Sequence, residues 1–405
     1  HLPAEPLHPL VSSSPPPPLR ASDPINVAYL SPDLASPSHP LPYLMSSVFS
    51  LHSPPHNVTI FSLSPAPPAQ RFGAPAHPHV VSLDPSLPPL SLALSIASRS
   101  PDVLVDLCGH AGPSLPSEIL AHRPAPRIVS YMGFPGEPGD AYLDYQLLDA
   151  VVEPERPGKR GVQVLRMPGS YFVTSHKDRA GERRDRGELR RENNLPASGF
   201  VFACLSRADK IDPATFLAWC RALSRSPPTS VLWLLSSGPL MEANVRAVFS
   251  APPFSLPPSR LIFAPLVPTA SHVSRIAAAD VFLDTPAYNA HTVGCDCLSV
   301  GVPLLSLLKP EGAERATEDT FLERGPDTDK ISGRVGASLL RAVGLDDLMV
   351  AGSLREYEDL MVRCAEDERF WGEVAGRVAD IDKLELFDTE AWVRAFEGKL
   401  REIVS

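Results

Sequence analysis

The 405-residue chain has no basic surplus, no CxxC pair, no long apolar run and no glycine-rich phosphate loop, and each absence narrows what it can be. A formal charge of -10 leaves nothing to displace counterions, which argues against nucleic acid or an anionic membrane as partner while leaving room for a local basic pocket. The six cysteines (Cys108, Cys204, Cys220, Cys295, Cys297 and Cys364) are scattered, several of them in apolar strand-like or helical runs where small core residues belong, a pattern that suits a reducing compartment. No apolar run approaches the roughly 18 residues of a membrane span, and the start lacks the basic-then-apolar design of a signal peptide. These readings together predict a cytoplasmic and/or nuclear location. A chain opening on His1 rather than Met reads as a piece of something longer. Neither a P-loop nor a GxGxxG after a strand is present, and no self-similarity recurs at 34 residues.

What the chain does have is globular chemistry: 43% apolar and 21% charged residues, enough to bury a core over most of its length. At this length two domains of about 150–200 residues are expected, with a cleft between two lobes. Proline, at 47 residues, is about twice its usual share. Its excess marks residues 1–24 as a disordered Pro/Ser-rich lead and SPAPPAQRFGAPAHP as a surface loop. INVAYL, VTIFSL, HVVSL, DVLVDLCG, RIVSYMG and YQLLD then read as short apolar strands, with helix-length segments such as PYLMSSVFSLH and LSLALSIASRS between several of them. Continuous apolar strands alternating with helices predict an α/β lobe over 25–175, its parallel sheet covered on both faces. The charged run within 176–196 predicts a solvated linker. A second α/β series (FVFACLS, SVLWLLS, RLIFAPL, DVFLDT, PLLSLL) fills 197–385, interrupted by a surface insertion at 311–331, and 386–405 forms a closing helix.

Four stretches carry chemistry. DTPAYNAHTVGCD, Asp284 to Asp296, leaves an apolar strand through small and polar residues and begins a helix at His291, Thr292, Val293 and Gly294. The unpaired amides of a helix's first turn, with its dipole, form an anion site that needs no full positive charge. Asp296 stands where it can accept a sugar's hydroxyls; the structural alternative is a capped helix beside a loop histidine. SRADKIDPATF places Lys210 beyond a strand's carboxyl end, within reach of a phosphate oxygen. APLVPTASHVSR sets His272 and Arg275 three apart on one helical face, an imidazole to stack on a base and a guanidinium to bond its carbonyl. SPDLASPSHPLPYLM carries His39 among Pro37, Pro40 and Pro42, which hold the backbone to few conformations. Asp327-Thr328-Asp329 matches the DxD of metal-dependent sugar transferases, but its place in the polar insertion makes coincidence the better reading, and no metal is expected.

Taken in chain order, the stretches resemble the catalytic region of the protein O-linked N-acetylglucosamine transferase family, which includes the plant SPINDLY proteins. The matching strings are INVAYLSPD with His39-Pro40, LAHRPAPRIVSYMGFPGEPG, DKIDPATF with SVLWLL, RLIFAPL with HVSR, DVFLDTPAYNAHTVGCD, GVPLLSL, EYEDL and LFDT, running from about Ile25 to the C-terminus. The resemblance implies a GT-B fold, two Rossmann-like lobes with an interlobe cleft. It also implies inverting, metal-independent transfer from UDP-N-acetylglucosamine to serine or threonine of acceptor proteins, with the nucleotide sugar as co-substrate and no cofactor. Carried over, Lys210 and His39 are the catalytic residues, with His39 beside the reacting centre. Donor contacts fall to Gly133, Arg207, Val267, His272, Arg275, His291, Thr292, Val293 and Asp296. The proton acceptor is left open among His39, a water chain and the donor's own phosphate. The chain departs from the family pattern at Arg207 (commonly glutamine), Val293 (the second threonine of HTTG) and Thr269 (a lysine), and no tetratricopeptide repeats precede the catalytic strings. A GDP-fucose protein O-fucosyltransferase of the same fold and a non-catalytic nucleotide-sugar binder are the alternatives.

Overall fold

The structure, a computed structural model of the chain, describes residues 10, 18–36, 39–64, 79–155, 161–177, 184–310 and 325–405. Most of the Pro/Ser-rich lead, Pro37, the second proline-rich stretch, part of the charged linker and residues 311–324 of the insertion lie outside them. The chain divides into two compact units, residues 1–178 with 388–405, and residues 179–387.

Among the described residues, the first unit holds β1 (Asn26–Ser31), α1 (Leu41–Leu51), β2 (Asn57–Ser62), β3 (His79–Ser82), α2 (Pro89–Ala97), β4 (Val103–Asp106), α3 (Leu115–Leu120), β5 (Ile128–Ser130), β6 (Tyr145–Asp149) and β7 (Gln163–Met167). Its strands form one parallel sheet in the order β3-β2-β1-β4-β5-β6-β7. β4 is buried at every position, as an apolar strand covered on both faces must be. On one face Leu30, Phe61, Leu104 and Ile128 share a core with Leu92, Ile96, Ile119 and Leu120 of the helices.

The second unit holds α4 (Arg186–Glu192), β8 (Val201–Cys204), α5 (Pro213–Arg225), β9 (Val231–Leu235), α6 (Pro239–Ser250), β10 (Leu261–Ala264), α7 (Thr269–Ile276), β11 (Val281–Leu283), α8 (Thr292–Ser299), β12 (Leu304–Leu307), α9 (Ile331–Ala342), α10 (Asp346–Met349), β13 (Val350–Ala351), α11 (Leu354–Glu366) and α12 (Glu368–Arg377). The sheet is again parallel, ordered β10-β9-β8-β11-β12-β13. α5 begins as its sequence dictates: Asp212 caps it by accepting from Thr215 N at 3.0 Å, and Pro213 supplies the fixed φ of a first turn.

Two segments differ from the sequence expectation. Within the charged run expected to be a solvated linker, α4 is tied down: Arg190 is buried and donates to Asp280 Oδ2 at 2.7 Å, while Arg186 pairs with Asp280 Oδ1. The last helix, α13 (Thr389–Val404), belongs to the first unit rather than standing apart. Trp392 and Phe396 stack on Tyr131, Trp392 Nε1 donates to Ser170 O at 3.2 Å, and Glu397 takes up His52 Nδ1 at 3.0 Å and Ser53 N at 2.7 Å.

Candidate active site

In each sheet the winding direction reverses at one point, between β1 and β4 in the first unit and between β8 and β11 in the second. Open α/β sheets bind their ligands outside the carboxyl ends of the strands at such a point. In the second unit, the two segments leaving those strand ends are the ones that carry Lys210 and the DTPAYNAH loop.

Lys210 closes the single 3-10 turn that follows β8. Its ammonium donates to the carbonyl of Asn289 at 3.0 Å and sits 4.2 Å above the ring of Tyr288. That ring in turn stacks on His291, with centroids 5.0 Å apart. Burial pulls the Lys210 pKa below the usual lysine range; the charge of Asp284 opposes it most, with Asp209 adding to it. Burial and the nearby ammonium push His291 down to about 3 against a bond to the Ser332 carbonyl, so at neutral pH the imidazole is uncharged. The lysine is therefore the positive centre of this cluster, held against a carbonyl and an aromatic face.

α8 starts at Thr292 with His291 as its cap, whose side chain makes no capping bond, and among the described residues no side chain accepts from the first amides. The first intrahelical bond is Cys295 N to His291 O at 3.2 Å. The N–H groups of Thr292, Val293 and Gly294 thus have no acceptor within the helix, which is the arrangement that receives an anion. Gly294 has a packing role the sequence did not suggest: a Cβ there meets Leu339 Cδ1 at 2.8 Å and Leu304 Cδ1 at 3.3 Å, so its bare face turns to the core.

Further along, Asp296 is buried on α8, and its charge is felt by His272 on α7. His272 Nδ1 lies 3.1 Å from Arg275 Nη2, and Arg275 Nη1 donates to Pro265 O at 2.7 Å. Arg275 is only 4% exposed. Two of its guanidinium nitrogens are engaged by protein while the buried Nε has no hydrogen-bond partner among the described residues, which makes Arg275 the support for His272 and leaves His272 the more accessible of the two. Burial, then Arg275, lowers the His272 pKa, with Asp296 opposing. Val267 is half-buried in the loop before α7. The Arg207 side chain is 79% exposed and pairs with Asp209 at 2.6 Å.

His39 and Gly133 belong to the first unit. His39 follows β1; its Nε2 is 3.9 Å from Asp33 Oδ2, its Nδ1 accepts from Leu41 N at 3.3 Å, and its side chain is 42% exposed. Gly133 follows β5, where a Cβ would lie 2.3 Å from Leu107 O and 2.6 Å from Cys108 O, so only glycine lets the loops after β4 and β5 close together. Asp329 of the DxD stretch pairs with Arg334 at 3.2 Å, and the described residues contain no group of three or more His, Cys, Asp or Glu arranged for a metal.

Three contributors were missed in the sequence. Tyr288 supplies the aromatic face under Lys210. Asn289 is fully buried, with Oδ1 accepting from Gly336 N at 3.0 Å and its own N–H donating to Ser332 O at 2.8 Å. Asp284 is fully buried, accepting from Thr285 N, Ala290 N and Ser306 Oγ at 2.9, 2.7 and 2.6 Å. The available signal was an acid closing an otherwise apolar strand, DVFLD.

Two parallel α/β units, one with a lysine and a helix start gathered at its switch point, define a fold of the GT-B class of glycosyltransferases. Solved structures with this fold include a mutant of the O-GlcNAc transferase of Thermobaculum terrenum (TM-score 0.76, 21% identity, 99% of this chain and 71% of that one). Another is Anabaena HepE in complex with UDP and glucose (TM-score 0.54, 12% identity, 93% of this chain and 100% of that one). Within that class the chain belongs to glycosyl transferase family 41, whose model matches residues 15–187 and 180–396. The probable UDP-N-acetylglucosamine–peptide N-acetylglucosaminyltransferase SEC of Arabidopsis thaliana is 31% identical over 382 residues, 92% of this chain and 36% of that protein. The UDP-N-acetylglucosamine–peptide N-acetylglucosaminyltransferase of Caenorhabditis elegans is 32% identical over 195 residues, 47% of this chain and 15% of that protein. The chain thus spans about a third or less of the length of these relatives.

Proposed function

We propose that the chain is an inverting, metal-independent transferase that moves N-acetylglucosamine from UDP-N-acetylglucosamine to serine or threonine hydroxyls of proteins. The observation that carries this reading is the meeting of Lys210 with the Asn289 carbonyl, immediately before the open amides of α8. That geometry suits a diphosphate: as the bond from the sugar C1 to the β-phosphate breaks, negative charge grows on UDP. A fixed ammonium and fixed amides stabilise that charge more than they stabilise the ground state. In this scheme Thr292 and Val293 give backbone N–H groups to the phosphates, neutral His291 flanks them and Asp296 holds the ribose. His272, supported by Arg275, meets the base near Val267. Arg207, exposed and paired with Asp209, contributes only to the surrounding field. Gly133 contacts the sugar and His39 stands by the attacking hydroxyl, whose proton passes to it, to water or to the donor phosphate.

The reading places the protein in the cytoplasm and/or nucleus. Its six thiols are free and buried, and no helix among the described residues is long and apolar enough to cross a membrane. The names of the relatives support the donor and the protein acceptor.

The test is thermal denaturation with UDP, GDP or buffer. UDP at about a hundred times its dissociation constant should add about 2.7 kcal/mol of stability. A preference for GDP overturns the donor in favour of fucose transfer. Lys210→Ala should bind UDP at least about ten-fold more weakly, the size of a lost charge-assisted contact, and should lose both transfer and slow donor hydrolysis. A wild-type protein that binds UDP yet shows neither activity is a binder and not an enzyme.

A further inference from the structure

Asn289 and Ala290 share one peptide group, and that group is bonded at both ends. Its N–H donates to Asp284 Oδ1 at 2.7 Å, and its C=O accepts from Lys210 Nζ at 3.0 Å. A buried carboxylate, a peptide dipole and an ammonium therefore lie in series. Hydrogen bonds in such a chain polarise one another, because a carboxylate at the N–H makes the carbonyl oxygen a stronger acceptor. The peptide has little freedom to turn: Asn289 is tied to Ser332 O through its N–H and to Gly336 N through its side chain. The carboxylate is equally confined. Ser306 Oγ donates to its other oxygen at 2.6 Å, and a Cβ on Gly336 would stand 2.1 Å from that oxygen.

We propose that Asp284 is a positioning residue for Lys210, acting through the 289–290 peptide to aim the ammonium and keep it charged. This rests on the transferase reading for its purpose but not for its test. The other titratable groups around the pair do not compete with Asp284. Burial raises the thiols of Cys204 and Cys297 and the phenol of Tyr357 above their ordinary values, so all three are neutral, as is His291. Arg207 and Asp209 act on Lys210 from the solvent side with opposite signs. Asp284 is the largest influence holding the Lys210 proton on, and its own pKa is raised to about 6 by burial, against its hydrogen bonds and Lys210.

The direct test follows Lys210 by NMR of lysine labelled at the ε-carbon, with its resonance assigned by loss in Lys210→Arg. In Asp284→Asn, which keeps the shape and an oxygen for Ala290 N–H, Lys210 should titrate about one pH unit lower. UDP affinity should fall about ten-fold at neutral pH, and its alkaline decline should begin at correspondingly lower pH. A merely structural role would weaken binding at every pH without moving that decline. In the wild type the same resonance should show a second inflection near pH 6, which Ser306→Ala moves upward by removing a donor to the carboxylate. If Lys210 titrates identically in folded Asp284→Asn, the proposal is overturned. Should that variant fail to fold, absence of the second inflection in the wild type overturns it equally. A wild type that does not bind UDP sinks the donor reading alone, since the lysine titration is read without ligand.

Discussion

A carboxyl group that serves a neighbouring charge from inside a protein does so at a cost to the fold. Asp284 has an ordinary pKa of 3.8 and a folded one near 6, raised by burial. Between those values the folded state binds the proton more tightly than the unfolded chain, so stability falls as pH rises through that window and the cost is fully present above it. At about 1.4 kcal/mol per pKa unit, two units amount to about 3 kcal/mol. Asp284→Asn has no such cost. Its stability relative to wild type, from urea unfolding, should therefore rise by about 3 kcal/mol between pH 3 and pH 7. A difference that stays flat across that window means the carboxylate titrates normally and is not in the environment described. A buried acid that costs the fold above its pKa is what is expected where function and stability pull apart.

At the scale of the element, the decisive feature is the first turn of α8, and there the sequence was readable in part. Strand ends, the capped start of α5 and the helix opening at Thr292 all followed from apolar runs interrupted by proline and small polar residues. β7 did not: it lies at the sheet edge with Gln163 and Arg166 exposed, so no continuous apolar run announces it. The tether of Arg190 to Asp280 and the bond of Lys210 to Asn289 were equally invisible, because both join residues about 80 to 90 positions apart that only the sheet order brings together. The turn itself yields a clean separation of backbone from side chain. Val293→Thr restores the hydroxyl of the family pattern but changes no amide, so UDP affinity should move less than about three-fold. Val293→Pro stays compatible with a first helical turn yet deletes one N–H, and should weaken UDP about ten-fold or more by calorimetry. Equal effects from the two variants would place the recognition in side chains and remove the helix start from the mechanism.

For the whole molecule, the arrangement that sequence reading divided differently is the return of the last segment to the first unit, and it makes the two units separately testable. α13 contributes Val393, Phe396, Leu400 and Val404 to burial, and Trp392 stacks 5.5 Å from Tyr131. The residues proposed to grip the diphosphate all lie in the second unit. Trp392→Ala removes a large, half-buried aromatic from the first unit without changing Lys210 or α8, and costs less than the roughly 3–5 kcal/mol of a fully buried aromatic. Scanning calorimetry of the full chain should show the first unit's transition moving to lower temperature. The second unit's transition should stay in place and still rise with UDP, because a ligand stabilises only what it binds. The opposite pattern, with UDP stabilisation lost alongside Trp392, would mean that the diphosphate grip depends on the first unit as much as on Lys210, and the assignment of binding to one switch point would fail.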